Sequence, residues 1–390
     1  MRLRATSALV TSGLLLAACG TNDAGAGSSS GAITIMQIAP YHSQTTSLPM
    51  MKTSIQAAVD EINDAGGING RKLRLETCNE EQNPNVALRC AQTAVQERAA
   101  AVVGGLTSVG STMLPLLEKA KIPYIGPDAI TPYDGKSPAS FLFDAGVPGY
   151  AAMPAVAKTA LGATKVAAIH NESPAAPTNQ DFFEMGAELA GVQILDNIVV
   201  PLDAVDLTQY VSRAESDGAE AIVSSMSPDI NLKLWKALQA SGSSLRTVMS
   251  TGSVSPSLIS QAGVAAEGTY LVQGTPVADD TNEWGKQYLA AMAKYEPDEK
   301  VLSGVGLRAY WAAHLFADVA KTIKGEVNSQ SVWDAFNKVH GMKFAWVDSL
   351  SFDEPGPIKE LPRVTSTTVF PAEIVEGKMV AKEPFDPFKR

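Results

Sequence analysis

Short apolar runs alternate along this chain with longer segments in which apolar residues recur every three to four positions. The short runs predict strands, and the longer amphipathic segments predict helices. Up to residue 145, the predicted strands are 33–39, 72–77, 100–104 and 123–125, and the predicted helices are 47–65, 85–98 and 111–120. Gly66 and Gly67 should end the first helix, because glycine readily adopts the left-handed conformation of a helix C-terminus.

The same alternation begins again after Gly146. Predicted strands follow at 165–169, 193–200, 220–224, 247–250 and 269–273, with helices such as 207–217 and 231–241 between them. Further helices are predicted at 282–294, 304–323 and 332–340, before a final strand pair at 367–375 and 378–381. Alternating strands and helices are typical of parallel sheets covered on both faces. Two such runs predict an α/β protein with two doubly wound lobes.

The first residues differ from this pattern and are typical of a targeting segment. Arg2 and Arg4 precede an uncharged apolar run at 8–18, which is too short to span a bilayer. The run ends Leu-Ala-Ala before Cys19, which resembles a bacterial lipobox, so we expect residues 1–18 to be a signal peptide and Cys19 to carry a lipid. The alternative is an ordinary signal peptide with an incidental cysteine.

Residues 19–32 are expected to be the lipidated cysteine and a flexible tether, because glycine, serine and alanine dominate and no apolar periodicity occurs. The protein would then be exported and lipid-anchored to the outer face of the bacterial cytoplasmic membrane. No later apolar run is long enough for a membrane span, so we expect contact with the membrane only through the lipid.

Composition narrows the class of partner. The chain of 390 residues has 31 basic and 41 acidic side chains, a formal net charge of -10 and a pI near 5.0. An acidic chain lacks the basic surface that phosphate binding requires, which argues against a nucleic acid partner. No H-E-x-x-H or phosphate-binding loop motif occurs, so we expect no catalytic residues, no cofactor and no metal.

Two cysteines remain once Cys19 is assigned to the lipid. Cys78 falls at the end of a predicted strand and Cys90 in the following helix. Exported proteins enter an oxidising compartment, so the two are expected to form a disulfide. Metal binding is the weaker alternative, because no histidine or further cysteine is near in sequence.

Three segments resemble the branched-chain amino-acid type of ABC-transporter substrate-binding proteins. These are the stretch AAVDEINDAGGINGRKL at 57–73, the strand end VVGG at 102–105 followed by Thr107 and Ser108, and IPYIGP at 122–127. The resemblance implies a type I periplasmic binding protein fold, with three crossovers joining two lobes and a ligand cleft between them. The lobes would be 33–145 plus 275–363, and 146–274 plus 364–390.

The carboxyl ends of the first-lobe strands are expected to bind the ligand. Thr107 and Ser108 offer hydroxyls close to a helix start, which suits a carboxylate; the alternative is that they only cap the helix. The family resemblance implies that Asp128, Ala129 and Thr131 form the loop that meets the ligand's amino group. Asp128 is either an ammonium partner or a turn carboxylate that faces water.

In the second lobe, strand-end residues are expected to face the same cleft: Asn171, Ser225, Met226, Ser227, Thr251 and Gly252. Tyr41 and Tyr150 are further candidates to line it, although tyrosines in such positions are more often packed amphipathic side chains. Two features that the resemblance implies are missing. No acid occurs at 250–253 to hold an ammonium group, and no aromatic residue occurs at 172–177.

The sequence therefore predicts a monomeric solute receptor that delivers a small polar organic ligand, an amino acid or a related carboxylate or amide, to the permease of an ABC importer. A lipid-anchored sensory receptor that signals through a membrane partner is the alternative. A surface hydrolase is a third hypothesis, which the missing catalytic motifs disfavour.

Overall fold

The computed structural model describes residues 31–43, 46–173 and 176–389. Its strands are β1 Ile33–Ala39, β2 Leu73–Asn79, β3 Ala101–Val103, β4 Tyr124–Ile125, β5 Ser140–Phe141, β6 Lys165–Asn171, β7 Gln193–Val200, β8 Ala221–Ser225, β9 Arg246–Ser250, β10 Tyr270–Val272, β11 Met342–Phe344, β12 Val347–Leu350, β13 Ala372–Val375 and β14 Lys378–Ala381. Its α-helices are α1 Met50–Asp64, α2 Pro84–Gln96, α3 Gly110–Ala120, α4 Ala152–Leu161, α5 Ala176–Ala190, α6 Thr208–Ser216, α7 Pro228–Ser241, α8 Pro256–Ala262, α9 Glu283–Tyr295, α10 Gly304–Ala320 and α11 Ser329–Phe336.

The strands form two large sheets and a small hairpin. The first sheet has the order β2-β1-β3-β4-β5 and is parallel throughout. The second has the order β14-β13-β10-β9-β8-β6-β7, in which only β13 and β14 are antiparallel to their neighbours. Strands β11 and β12 form the hairpin. The predicted α/β class is confirmed.

Local signals set the helix ends. The side chain of Asn83 accepts hydrogen bonds from the backbone N–H groups of Asn85 (2.9 Å) and Val86 (3.3 Å), and Pro84 occupies the first helical position of α2. After α1, Gly66 and Gly67 have φ values of +101° and +74°. The predicted glycine stop of the first helix is therefore confirmed.

Helix α10 is the central support of the first sheet. Most of its residues are buried in the core that also contains strand residues of β1, β3, β4 and β5. Two glycines allow this close packing. A Cβ on Gly104 would lie 3.1 Å from Cα of Ala309, and one on Gly126 would lie 2.6 Å from Cβ of Ala312. Both glycines also have positive φ, so larger residues would strain the backbone as well.

The last strand pair starts later than its sequence pattern indicates. The prediction of a strand at 367–375 is wrong at its start, because β13 begins only at Ala372, directly after Pro371. Proline lacks the N–H that a ladder position needs. Upstream of it, Val369 pairs instead with Phe385 through two backbone hydrogen bonds of 2.8 and 3.1 Å.

The predicted disulfide joins β2 to α2. Cys78 and Cys90 are bonded in the structure, with their Cα atoms 5.7 Å apart. The predicted signal peptide, Cys19 and tether residues 20–30 lie outside the described residues. Within the described part of the chain, no helix has both the length and the apolar character needed to cross a bilayer.

Candidate functional site

Polar side chains at the carboxyl ends of strands from both sheets line one cleft. The cleft has a volume of about 850 Å³, counting the open solvent at its mouth. Several predicted site residues line it: Ser108, Asp128, Tyr150, Asn171, Ser225, Met226, Ser227 and Gly252. Strand ends of parallel sheets meet at one edge, which is why residues so distant in sequence come together here.

Ser108 is already hydrogen-bonded at the cleft surface. Its backbone N–H donates to Oε1 of Gln82 at 2.8 Å, and its hydroxyl donates to the same oxygen. Gln82 follows β2 and, like Glu81 before it, has a positive φ of just over 50°. The carboxamide oxygen of Gln82 therefore takes the position where a ligand carboxylate was expected, and its Nε2 group is left as a donor beside the cleft.

Asp128 belongs to a buried group of three charged residues. Arg308 of α10 lies between Asp128, with Nη1 2.5 Å from Oδ2, and Asp144, to which its Nε atom donates. The exposed fractions of the three side chains are 13% for Asp128, 3% for Arg308 and 1% for Asp144. Only Asp128 lines the cleft, so the guanidinium lies behind it. Burial raises the pKa of Asp144 to about 6, although the charge of Arg308 opposes this shift.

The polar side chains of the second-sheet wall are all neutral hydrogen-bonding groups. Oδ1 of Asn171 accepts from the backbone N–H of Ser227 at 2.8 Å. The hydroxyl of Tyr150 donates to Oγ of Ser250 at 3.3 Å. These bonds hold the polar groups of the wall in fixed positions. None of these groups carries a formal charge.

Five predicted site residues do not line the cleft: Tyr41, Thr107, Ala129, Thr131 and Thr251. Each has other contacts or is buried. The hydroxyl of Tyr41 donates to Oε1 of Gln37 at 2.8 Å, and that of Thr107 donates to Glu80 at 3.0 Å. Thr131 donates to Oδ2 of Asp134 through its backbone and its hydroxyl, and Ala129 and Thr251 are each 3% exposed.

The alternative that Thr107 and Ser108 only cap α3 can be compared with the hydrogen bonds of the two hydroxyls. Oγ1 of Thr107 accepts from the backbone N–H of Val109 at 3.1 Å, at the residue before α3. Val109 is itself the residue that precedes the first turn of α3, and no side-chain hydrogen bond caps this helix; the polar atoms of Ser108 bond to Gln82 instead. The two neighbouring hydroxyls thus have different tasks.

Sequence reasoning missed other cleft residues, among them Gln82, Asn179, Ser250 and Val305. The strand-end rule could have found Ser250, which is the last residue of β9, and Gln82, which follows β2 closely. Asn179 lies within α5 and Val305 within α10, where no local signal marks a residue that faces a cleft.

Two further carboxyls are buried behind the first-sheet wall. Burial raises the pKa of Glu80 to about 7, although its bond with Thr107 and a backbone N–H of Gln82 lower it in part. Burial also raises the pKa of Asp134 to about 7, against the lowering effect of its bonds with Thr131. One oxygen of each group, Oε1 of Glu80 and Oδ1 of Asp134, has no hydrogen-bond partner among the described residues.

One group of side chains in the described part of the chain has a spacing that could suit a metal ion. His340, Asp353 and Glu354 are all exposed, and Nδ1 of His340 lies 3.1 Å from Oδ1 of Asp353. None of the three lines the cleft.

The sequence profile of the periplasmic binding protein family matches residues 36–355. This chain belongs to that family. It is a solute-binding protein and not an enzyme, as the sequence predicted. Membership of the family also indicates an exported protein of the cell envelope. A search of curated protein sequences gives no significant match.

Several solved structures of binding proteins share the fold of this chain. A possible leucine/isoleucine/valine-binding protein from Rhodopirellula baltica superposes with a TM-score of 0.77 at 17% identity, covering 93% of this chain and 98% of the other. The branched-chain amino acid transporter substrate-binding protein of Streptococcus pneumoniae, in complex with isoleucine, gives 0.74 at 20%, with coverage of 90% and 99%. An ABC transporter solute-binding protein of Rhodopseudomonas palustris, in complex with p-hydroxybenzoic acid, gives 0.75 at 20%, with coverage of 91% and 97%. The predicted two-lobe type I fold is confirmed.

Proposed function

We propose that this protein captures a small polar organic solute between its two lobes and delivers it to the permease of an ABC importer. The observation that carries the proposal is the single cleft lined by strand-end polar groups of both sheets. A ligand that bonds to both walls stabilises the arrangement in which the walls are close. Binding is thereby coupled to closure of the lobes, the form that a permease is expected to recognise.

The lobe boundaries are part of this proposal. We assign 33–145 plus 275–363 to one lobe and 146–274 plus 364–390 to the other. In support, α9 to α11 pack in the core of the first sheet, whereas β13 and β14 extend the second sheet. The ABC-transporter proteins from Streptococcus pneumoniae and Rhodopseudomonas palustris, whose folds are similar, support the transport role by analogy.

A ligand screen tests the receptor role. In a screen of small metabolites, the unfolding temperature should rise with at least one compound, because a ligand at 100 times its Kd stabilises the folded state by about 2.7 kcal/mol. Small-angle scattering with that compound should show a smaller radius of gyration, as closure requires. A bound compound that leaves the radius unchanged would count against closure, and a screen without any hit would count against the receptor role.

We also propose that Cys19 anchors the mature protein to the outer face of the bacterial cytoplasmic membrane. The cysteine follows the short apolar run at the position that lipidation requires, and no helix among the described residues is long and apolar enough to cross a membrane. Replacing Cys19 with alanine should release the exported protein from membranes or block its processing. Fractionation of cells checks this. A correctly cleaved Cys19→Ala protein that stays with the membranes contradicts the anchor.

A further inference from the structure

The charge of the cleft lining bears on which ligands it can bind. Among the described residues that line it, Asp128 is the single one with a formal charge, and no lysine, arginine or histidine lines it. The other polar lining groups are hydroxyls and carboxamides. An anionic ligand group here would have neutral donors only and a carboxylate close by, and an anion without an opposite charge is costly to bury.

The cation nearest to Asp128 does not neutralise all of the negative charge around it. Arg308 is shared between Asp128 and Asp144, and no other ion pair to either carboxylate occurs among the described residues. One positive charge thus faces two negative ones. The carboxyls of Glu80 and Asp134 are buried as well, and the charge of Asp128 adds to the raised pKa of Asp134 and of Asp144. A cation placed against Asp128 would offset this excess.

A second and independent acceptor lies on the opposite wall. Asn179 lines the cleft and is only 6% exposed. Its Nδ2 group donates to Oγ of Ser225 at 3.0 Å, which fixes the carboxamide, and its Oδ1 atom has no partner among the described residues. A buried acceptor without a partner destabilises the protein, and a donor that reaches it removes this penalty. A ligand with N–H or O–H groups supplies that donor.

The donor side of the cleft is fixed as well. Because Oε1 of Gln82 accepts both bonds of Ser108, its Nε2 group is the part that can reach a ligand. Ser108 then acts as a positioning residue for Gln82. A neutral amide nitrogen suits a carbonyl, an ether or one oxygen of a zwitterion, and it gives a full negative charge little compensation.

We infer, on the basis of the proposed receptor function, that the ligand has no net negative charge, places an ammonium or amidinium group against Asp128 and donates a hydrogen bond to Oδ1 of Asn179. Zwitterions and cations fit this arrangement. Simple carboxylates such as p-hydroxybenzoate, the ligand in the structurally similar Rhodopseudomonas palustris protein, do not.

The test is a thermal-shift screen with equal numbers of anionic, zwitterionic, neutral and cationic metabolites, followed by calorimetry on every hit. Two matched pairs belong to the library: L-leucine with L-leucinamide, and p-hydroxybenzoate with p-hydroxybenzamide. Hits should come from compounds that carry a cationic nitrogen. An anion that binds more than about tenfold tighter than its own amide overturns the inference while leaving the receptor role intact. A screen without hits contradicts the receptor role itself.

Two variants then locate the cation. Asp128→Asn should weaken each nitrogen-bearing hit at least about tenfold, and Gln82→Glu, which adds a negative charge at the surface of the cleft, should strengthen cationic hits at least about threefold. Asp348→Asn is the matched control, because Asp348 is exposed on β12 and does not line the cleft. Circular dichroism checks that each variant is folded. Unchanged affinity for these hits in both cleft variants would overturn the placement of the cation.

Discussion

Replacing Arg308 with methionine should lower the free energy of unfolding by about 3–5 kcal/mol. The substitution keeps an unbranched apolar stem in α10 but leaves Asp128 and Asp144 without their common cation. Two carboxylates that are 13% and 1% exposed then either repel each other or take up protons. Urea unfolding at pH 7 measures the loss.

The control for this prediction is Arg246→Met. Arg246 also pairs with a carboxylate, that of Glu373 at 3.1 Å, but its side chain is 44% exposed. An exposed pair contributes at most about 1 kcal/mol, because water screens it. A triple variant that adds Asp128→Asn and Asp144→Asn to Arg308→Met should recover part of the lost stability. Equal losses in the Arg308 and Arg246 variants would contradict the buried-charge explanation.

Glu80 and Asp134 should make the protein less stable as the pH rises from about 4 to 7. Burial raises the pKa of each to about 7, whereas unfolded carboxyls titrate near 4. The folded chain therefore binds more protons than the unfolded chain in this range, and its free energy of unfolding decreases with pH. The contribution of each group is complete below about pH 4 and is lost above about pH 7, and it amounts to roughly 3 kcal/mol.

The double variant Glu80→Gln/Asp134→Asn isolates this effect, because each amide resembles the protonated acid and keeps an oxygen for its threonine partner. It should unfold at nearly the wild-type denaturant concentration at pH 4.5, and it should be several kcal/mol more stable than wild type at pH 8. Denaturant unfolding across this pH range measures the difference. If the stability curve of the double variant ran parallel to those of wild type and Asp348→Asn, these two carboxyls would not be the cause.

Much of the architecture can be predicted from local patterns. Strands 33–39, 193–200 and 378–381 have the predicted bounds in the structure, and other predicted elements shift by a few residues at their ends. The reason is that apolar periodicity, glycine stops and asparagine caps act within a single turn or strand. The late start of β13 shows where prediction from local patterns fails, since the pairing of Val369 with Phe385 joins residues that are distant in sequence.

Part of the candidate site can be predicted for a similar reason. Residues that follow parallel strands lie at one edge of a sheet, so Ser108, Asp128, Asn171 and Ser225 could be placed together without a structure. The rule gives the edge but not the direction of each side chain. Thr107 directs its hydroxyl to a buried carboxyl behind the wall, whereas its neighbour Ser108 reaches the cleft.

By itself, the sequence determined the α/β class, the order of the elements, the disulfide partners and the edge of each sheet where polar groups collect, because these depend on short-range pattern and chemistry. Only the tertiary structure decided the charge of the cleft. Arg308 reaches Asp144 across 164 positions of sequence, and this contact exists because glycines at the ends of β3 and β4 let α10 approach the sheet closely. Long-range packing of this kind determines which partner each charge obtains, and no local pattern records it.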